Sequence, residues 1–156
     1  MPLRQDFLIK VRQYGLDDQN QPVERLVAEG GEPCRDVLRR ARAGEELILA
    51  SYCPFSLPGP YKEYGPIFTL AHPSAEHVKL DKLPLPNGAA TDYLREHFVL
   101  RAYDERERIV DSLLSTPERC EADLERLFGD RRMKFVLVRF AAFGCYAFRI
   151  EGRQGS

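Results

Sequence analysis

What the chain lacks narrows its function before any motif is considered. No uninterrupted apolar run exceeds four residues, as at 135–138 and 140–143. A bilayer span needs roughly 20, so no membrane crossing is expected. Nor is there an excess of charge of one sign: 23 Lys plus Arg stand against 24 Asp plus Glu, for a net charge of −1. The balance holds along the chain, with 11 basic and 12 acidic residues up to position 90 and 12 of each beyond it. A general nucleic-acid or anionic-membrane partner is not expected, because such partners are held by concentrated positive charge. The first fifteen residues mix charged and apolar side chains with no secretory core, which leads to the expectation of a cytoplasmic protein.

Chemical signatures are sparse. Cys34, Cys53, Cys120 and Cys145 form no C-x-x-C pair, and His72, His77 and His97 do not stand at zinc-site spacings. Free thiols in a reducing compartment, no metal and no cofactor are expected. No G-x-G-x-x-G, G-x-x-x-x-G-K-[ST], G-x-S-x-G or H-E-x-x-H motif occurs, so nucleotide binding, serine hydrolysis and zinc-protease chemistry have no sequence support. Gly30-Gly31 could receive a phosphate only if a helix began there; a plain turn is the expectation.

What is present describes a globule. Apolar residues make up 44% of the chain and aromatics 10%, too rich for disorder. Residues 7–14 alternate, with Phe7, Ile9 and Val11 on one side, which predicts a half-buried strand. A second short segment runs from Pro22 to Val27. Residues 36–43 read as a short helix, with Val37, Leu38 and Ala41 on one face and Gly44 as its stop. Residues 47–52 and 67–70 are apolar runs of strand length. Pro58-Gly59-Pro60 cannot lie inside a sheet, and residues 71–90 read as a long irregular connection. Residues 98–103 and 109–114 form a predicted hairpin around the charged run 104–108. Ser115-Thr116-Pro117-Glu118 resembles a helix start, and Cys120, Leu124, Leu127 and Phe128 share one helical face. Residues 133–140 and 145–150 complete the strands. The expected architecture is α+β: a single domain over 1–156, ordered from about 7 to 150, with a mainly antiparallel sheet of about six strands and two or three short helices. Leu100, Leu124, Leu127, Phe128, Val136 and Val138 are the expected core.

The candidate site rests on a few groups. Arg35, Arg39, Arg40 and Arg42 are the one concentrated basic patch, and neighbouring acids suggest mutual neutralisation. Cys34, beside Arg35 at the start of the predicted helix, and Cys145, after Gly144, are the candidate nucleophiles, since a guanidinium or helix N-terminus favours a thiolate. Arg35, Tyr52, Tyr61 and Tyr146 are the candidate ligand-binding residues, on the expectation that 33–35, 52–64 and 144–146 converge on a carboxylate or other anion.

Several short motifs in common order complete the description. Pro33-Cys34-Arg35, Gly44-Glu45, Gly65-Pro66-Ile67-Phe68, Arg101-Ala102-Tyr103 and Gly144-Cys145-Tyr146-Ala147 resemble a family of small bacterial proteins catalogued as a domain of unknown function. The resemblance runs from about Phe7 to Ile150 and implies a small bacterial cytoplasmic protein with no activity to carry over. The family pattern has a histidine and an asparagine before the Gly-Cys pair; here residues 137–141 carry neither, so the resemblance implies no histidine partner for Cys145. The expected function is a ligand-binding or interaction module without catalysis, taking a small anion or a protein partner. The alternatives are a thiol-dependent enzyme or sensor and a homodimer built on an exposed strand edge.

Overall fold

The strongest strand signal, at residues 47–52, is apolar at nearly every position, and a strand of that kind needs cover on both faces. It has it. In the computed structural model, which describes residues 2–76, 78 and 93–152, this segment is β4 (Glu46–Tyr52), inside a five-stranded sheet. The other members are β1 (Glu24–Val27), β2 (Pro33–Cys34), β3 (Arg39–Arg40) and β5 (Gly65–Leu70), in the order β1-β4-β5-β2-β3. All pairs are antiparallel except β2 and β5, which run parallel with Cys34 opposite Phe68. A second, wholly antiparallel sheet has the order β7-β6-β8-β9, built from β6 (Phe98–Tyr103), β7 (Ile109–Ser115), β8 (Phe135–Phe140) and β9 (Tyr146–Glu151). The domain is α+β as expected, but its strands form two sheets, not one of about six strands.

Three apolar cores follow from strand alternation. Ile48, Ala50, Tyr52 and Ile67 on one sheet meet Tyr103, Phe135, Leu137 and Tyr146 on the other. On the far side of the four-stranded sheet, Phe98, Leu100, Val136, Val138 and Phe140 pack with Cys120, Leu124 and Leu127 of α2 (Cys120–Phe128). Behind the five-stranded sheet lies a smaller cluster of Ala28, Cys34, Ala41, Leu47 and Leu70. Five of the six expected core residues are buried, and Phe128 is half-buried against the second cluster.

Two segments differ from expectation. Residues 7–14 are not a strand: α1 (Gln5–Ile9) continues into a π-helical turn, Lys10–Tyr14, which Gly15 ends in the left-handed region at φ 67°. Such a φ suits glycine. The buried set is Leu3, Phe7, Leu8 and Val11, at the spacings of a helical face, while Ile9 is half exposed. Residues 36–43 are not a helix either. They form a turn into β3, with Leu38 left-handed at φ 52°. Tertiary bonds outweigh the local pattern here: Arg35 N–H donates to Phe68 O (3.0 Å), Ala41 N–H to Glu32 O (2.7 Å), and Asp36 accepts from Leu70 N–H and pairs with Arg12.

The helix start is also displaced. Ser115 ends β7, and its hydroxyl donates to Asp123 Oδ2 (2.7 Å), holding the first turn of α2 through a side chain instead of a backbone cap. Residues 71–76 carry no regular element, and most of the expected connection to Ala90 lies outside the described residues.

The helical assignment of α1 is testable by urea denaturation. Phe7→Ala should cost about 3–5 kcal/mol and Leu127→Ala about 2–5 kcal/mol. Ile9→Ala should cost no more than about 0.5 kcal/mol. A half-buried strand would make Ile9 as costly as Val11.

Candidate functional site

The short β2 strand sets up the site by placing Arg35 one residue beyond its parallel pairing with β5. The Arg35 side chain then crosses to the other sheet. Its Nε donates to the carbonyl of Tyr146 in β9 (2.8 Å), and its Nη1 donates to Pro33 O (2.7 Å). The guanidinium lies 5.0 Å from the centre of the Phe140 ring. Only 3% of the residue is exposed, and among the described residues no carboxylate pairs with it. Burial lowers its pKa from the ordinary arginine value, but an arginine starts so high that it stays charged at any physiological pH. Nη2 is the guanidinium nitrogen with no acceptor among the described residues.

Arg35 lines a cleft of about 1420 Å³. One wall is Leu49, Pro66 and Phe68 of the five-stranded sheet. Opposite stand Phe140 and the β8–β9 tip, Ala141, Ala142, Phe143 and Cys145; residues 94–97 and 116–118 close the ends. Arg40 also lines it, donating to Gly31 O and Tyr93 O (both 2.9 Å), with its guanidinium 5.4 Å from the Phe140 ring. Phe140 therefore carries a cation near its ring twice over, a favourable arrangement for the negative π face. Phe143 at the tip is 89% exposed.

The tip itself is tightly held. Gly144 adopts φ 72°, which permits a close turn. Gly144 N–H donates to Phe140 O and Phe140 N–H to Cys145 O, each at 2.9 Å. Arg139 Nη1 donates to Gly144 O (3.2 Å), so successive carbonyls at 144, 145 and 146 are each occupied by a donor. Cys145 is half-buried and its Sγ lies 3.7 Å from Phe143 O.

Of the residues singled out from the sequence, Arg35 and Cys145 meet at this cleft. Cys34 does not line it: the thiol is enclosed in the third core, and burial, reinforced by Asp36, pushes its pKa up to about 12. The helix N-terminus expected to activate Cys34 is absent, because residues 36–43 form a turn and strand. Tyr52 and Tyr146 direct their rings into the first core, 5.2 Å apart, with burial raising both hydroxyl pKa values. Tyr146 O–H donates to Pro2 O (2.6 Å), and Tyr52 accepts from Arg4 N–H (3.3 Å). Tyr61 packs at the rim of the same core beneath Arg108.

The 52–64 loop is likewise tied elsewhere. Glu63 pairs with Arg101 and Arg139 (both 3.1 Å), and the Glu107 carboxylate accepts from Ser56 N–H, Ser56 O–H and Leu57 N–H. Arg40, Phe140 and Phe143 were not foreseen as cleft residues. Alternation did place Phe140 on a strand, but nothing local marks the pairing that brings it beside Arg35.

Among the described residues, the other anion-binding features are already occupied. The Glu29 and Gly30 amides, where a phosphate could sit, donate to the chain's own Glu32 carboxylate at 2.9 and 2.8 Å. In the basic patch, Arg39 is neutralised by Glu45 and Glu76, and its hydrogen bonds pull the Glu45 pKa down to about 2. Among the described residues no group of three or more His, Cys, Asp or Glu is gathered for a metal. No helix among them is long and apolar enough to cross a membrane.

A family model described as "Protein of unknown function (DUF1203)" matches residues 31–152. The chain belongs to this family. The DUF1203 segment contains Arg35, Arg40, Phe140 and Cys145, and so the described cleft, while α1 lies before it. No curated protein and no solved structure matches.

Thiol accessibility gives a direct check. Only thiolate reacts with iodoacetamide, and a thiol raised to about 12, as for Cys34 and Cys120, stays protonated until the pH nears that value. At pH 8 the native protein should take up one label, at Cys145, and four after denaturation, read by peptide mass spectrometry. Labelling of Cys34 at a rate matching Cys145 would contradict the burial described.

Proposed function

We propose that this protein is a ligand-binding module, without catalysis, that holds a small molecule by a carboxylate or similar anionic group in the cleft beside Arg35. The observation that carries the proposal is the state of that guanidinium: nearly enclosed, engaged by two carbonyls, and facing no carboxylate among the described residues. A buried charge without a counter-charge is costly, and an anion at Nη2 would supply one. The cleft exceeds the roughly 300–1,000 Å³ of most small-molecule sites, which leaves space for an apolar body along Phe68, Phe140 and Leu49. The four unpaired thiols support a reducing compartment such as a bacterial cytoplasm.

Calorimetric titration of the wild-type protein with phenylpropanoate and phenylpropanamide separates charge from shape. The carboxylate should saturate and bind about tenfold or more tightly than the amide, the size expected of one charge-assisted hydrogen bond. At a hundred times its Kd, it should stabilise the protein by about 2.7 kcal/mol. Arg35→Met should abolish the preference, with circular dichroism confirming that the variant is folded. Equal affinity for the two compounds in the wild type would defeat the proposal whatever the variant does.

A further inference from the structure

We propose that Cys145 is an attachment site for small disulfides that carry a carboxylate, and that capping of this thiol follows the surrounding pool of thiols and disulfides. The proposal rests on the anion-binding role of Arg35 and adds a covalent step to it.

Three observations converge. First, Cys34, Cys53 and Cys120 are buried, so Cys145 is the thiol that a solute can reach. Second, Cys145 and Arg35 line the same cleft, and Arg35 grips the carbonyl of Tyr146, the residue that follows the thiol. Arg35 is 3% exposed, and its Nη2 has no acceptor among the described residues. Third, the backbone around the thiol is immobilised by donors to the carbonyls of 144, 145 and 146. These bonds hold the backbone that carries the thiol beside the cation, and a reactant held at a neighbouring site gains effective concentration.

The chemistry is thiol–disulfide exchange. Cys145 loses its proton to solvent, and the thiolate attacks one sulfur of the bound disulfide. That S–S bond breaks as a new one forms to Cys145, and the second half departs as a thiolate that takes a proton from water. The small disulfide is the oxidant, and a small thiol reverses the step. Arg35 selects the disulfide by holding its carboxylate and takes no part in the exchange of electrons.

The experiment treats reduced wild-type protein, at low and high salt, with 3,3′-dithiodipropionate, 2-hydroxyethyl disulfide and cystamine, which are anionic, neutral and cationic. Intact-mass and peptide analysis follow the adduct. The expected result is one adduct, on Cys145, forming about tenfold faster with the anionic disulfide than with the neutral one and most slowly with the cationic one. Salt should shrink these ratios, as it screens charge. Phenylpropanoate should slow the anionic reagent more than the neutral one, and Cys145→Ser should take up no adduct. Equal rates for the three reagents would overturn the inference. So would adducts spread over other cysteines, or loss of the Cys34 and Cys145 thiols without added mass, the mark of an internal disulfide. Calorimetric binding of phenylpropanoate with a flat charge series would defeat this inference alone; failure of that binding as well would defeat the ligand site beneath it.

Discussion

The hydrogen bond from Arg35 Nε to the Tyr146 carbonyl joins parts of the chain 111 residues apart, and much of the remaining arrangement depends on it. β2 is two residues long and meets β5 at a single parallel position. So short a pairing cannot by itself fix the edge of a sheet against a second sheet. The guanidinium does so by reaching across, spending Nη1 on its own strand at Pro33 and Nε on β9. A hydrogen bond to a charged group contributes about 1.5–3 kcal/mol net, and the Phe140 face offsets part of the cost of removing the cation from water. The same contact aligns the β8–β9 tip with the five-stranded sheet, and the cleft is the space left between them.

The sequence was most legible where pattern and burial agree. Residues 47–52, 98–103 and 135–140 are strands because their neighbours cover them, and Leu124 and Leu127 have no competing phase. Residues 7–14 were ambiguous in physical terms: Phe7 and Val11 are four apart, which fits both an alternating strand and a helical stripe. Leu8 and Ile9 decide between them: an alternating strand would bury Ile9 with Phe7 and Val11, whereas Leu8 is buried and Ile9 half exposed. Residues 36–43 carry apolar side chains at helical spacing, but Asp36 and Arg35 bond to β5 and leave no continuous helical ladder. The sequence foresaw that Arg35 and the Gly144-Cys145 turn would come together, and both border the candidate cleft. The tyrosines were placed with them by proximity in sequence, yet a strand sends successive side chains to opposite faces. Tyr146 thus supplies the site with its carbonyl and the first core with its ring. An irregularity between Val138 and Arg139, which shifts the pairing with β9, also had no local signature.

The near-zero net charge takes on meaning in three dimensions. Many of the arginines act internally: Arg12 on Asp36, Arg39 on Glu45 and Glu76, Arg101 and Arg139 on Glu63. Several replace regular structure that the sequence does not supply, fastening loops and short strands where few ladder bonds exist. Arg35 stands apart from these because carbonyls and an aromatic ring hold it in place of an acid. That difference in partners is what makes Arg35 the candidate ligand-binding arginine.

The bond from the Tyr146 hydroxyl to Pro2 O spans 144 positions, and it has a consequence for synthesis on the ribosome. α1 emerges early, yet the surface that receives Phe7 and Val11 includes Tyr103, Phe135, Leu137 and Tyr146, which emerge late. Chains are made at about 5–20 residues per second, so this apolar stripe waits several seconds without its final neighbours. Contacts of such long range also make folding slow. Until β8 and β9 have followed it, α1 has no complete surface to pack on, and their pairing is the clasp that closes this core.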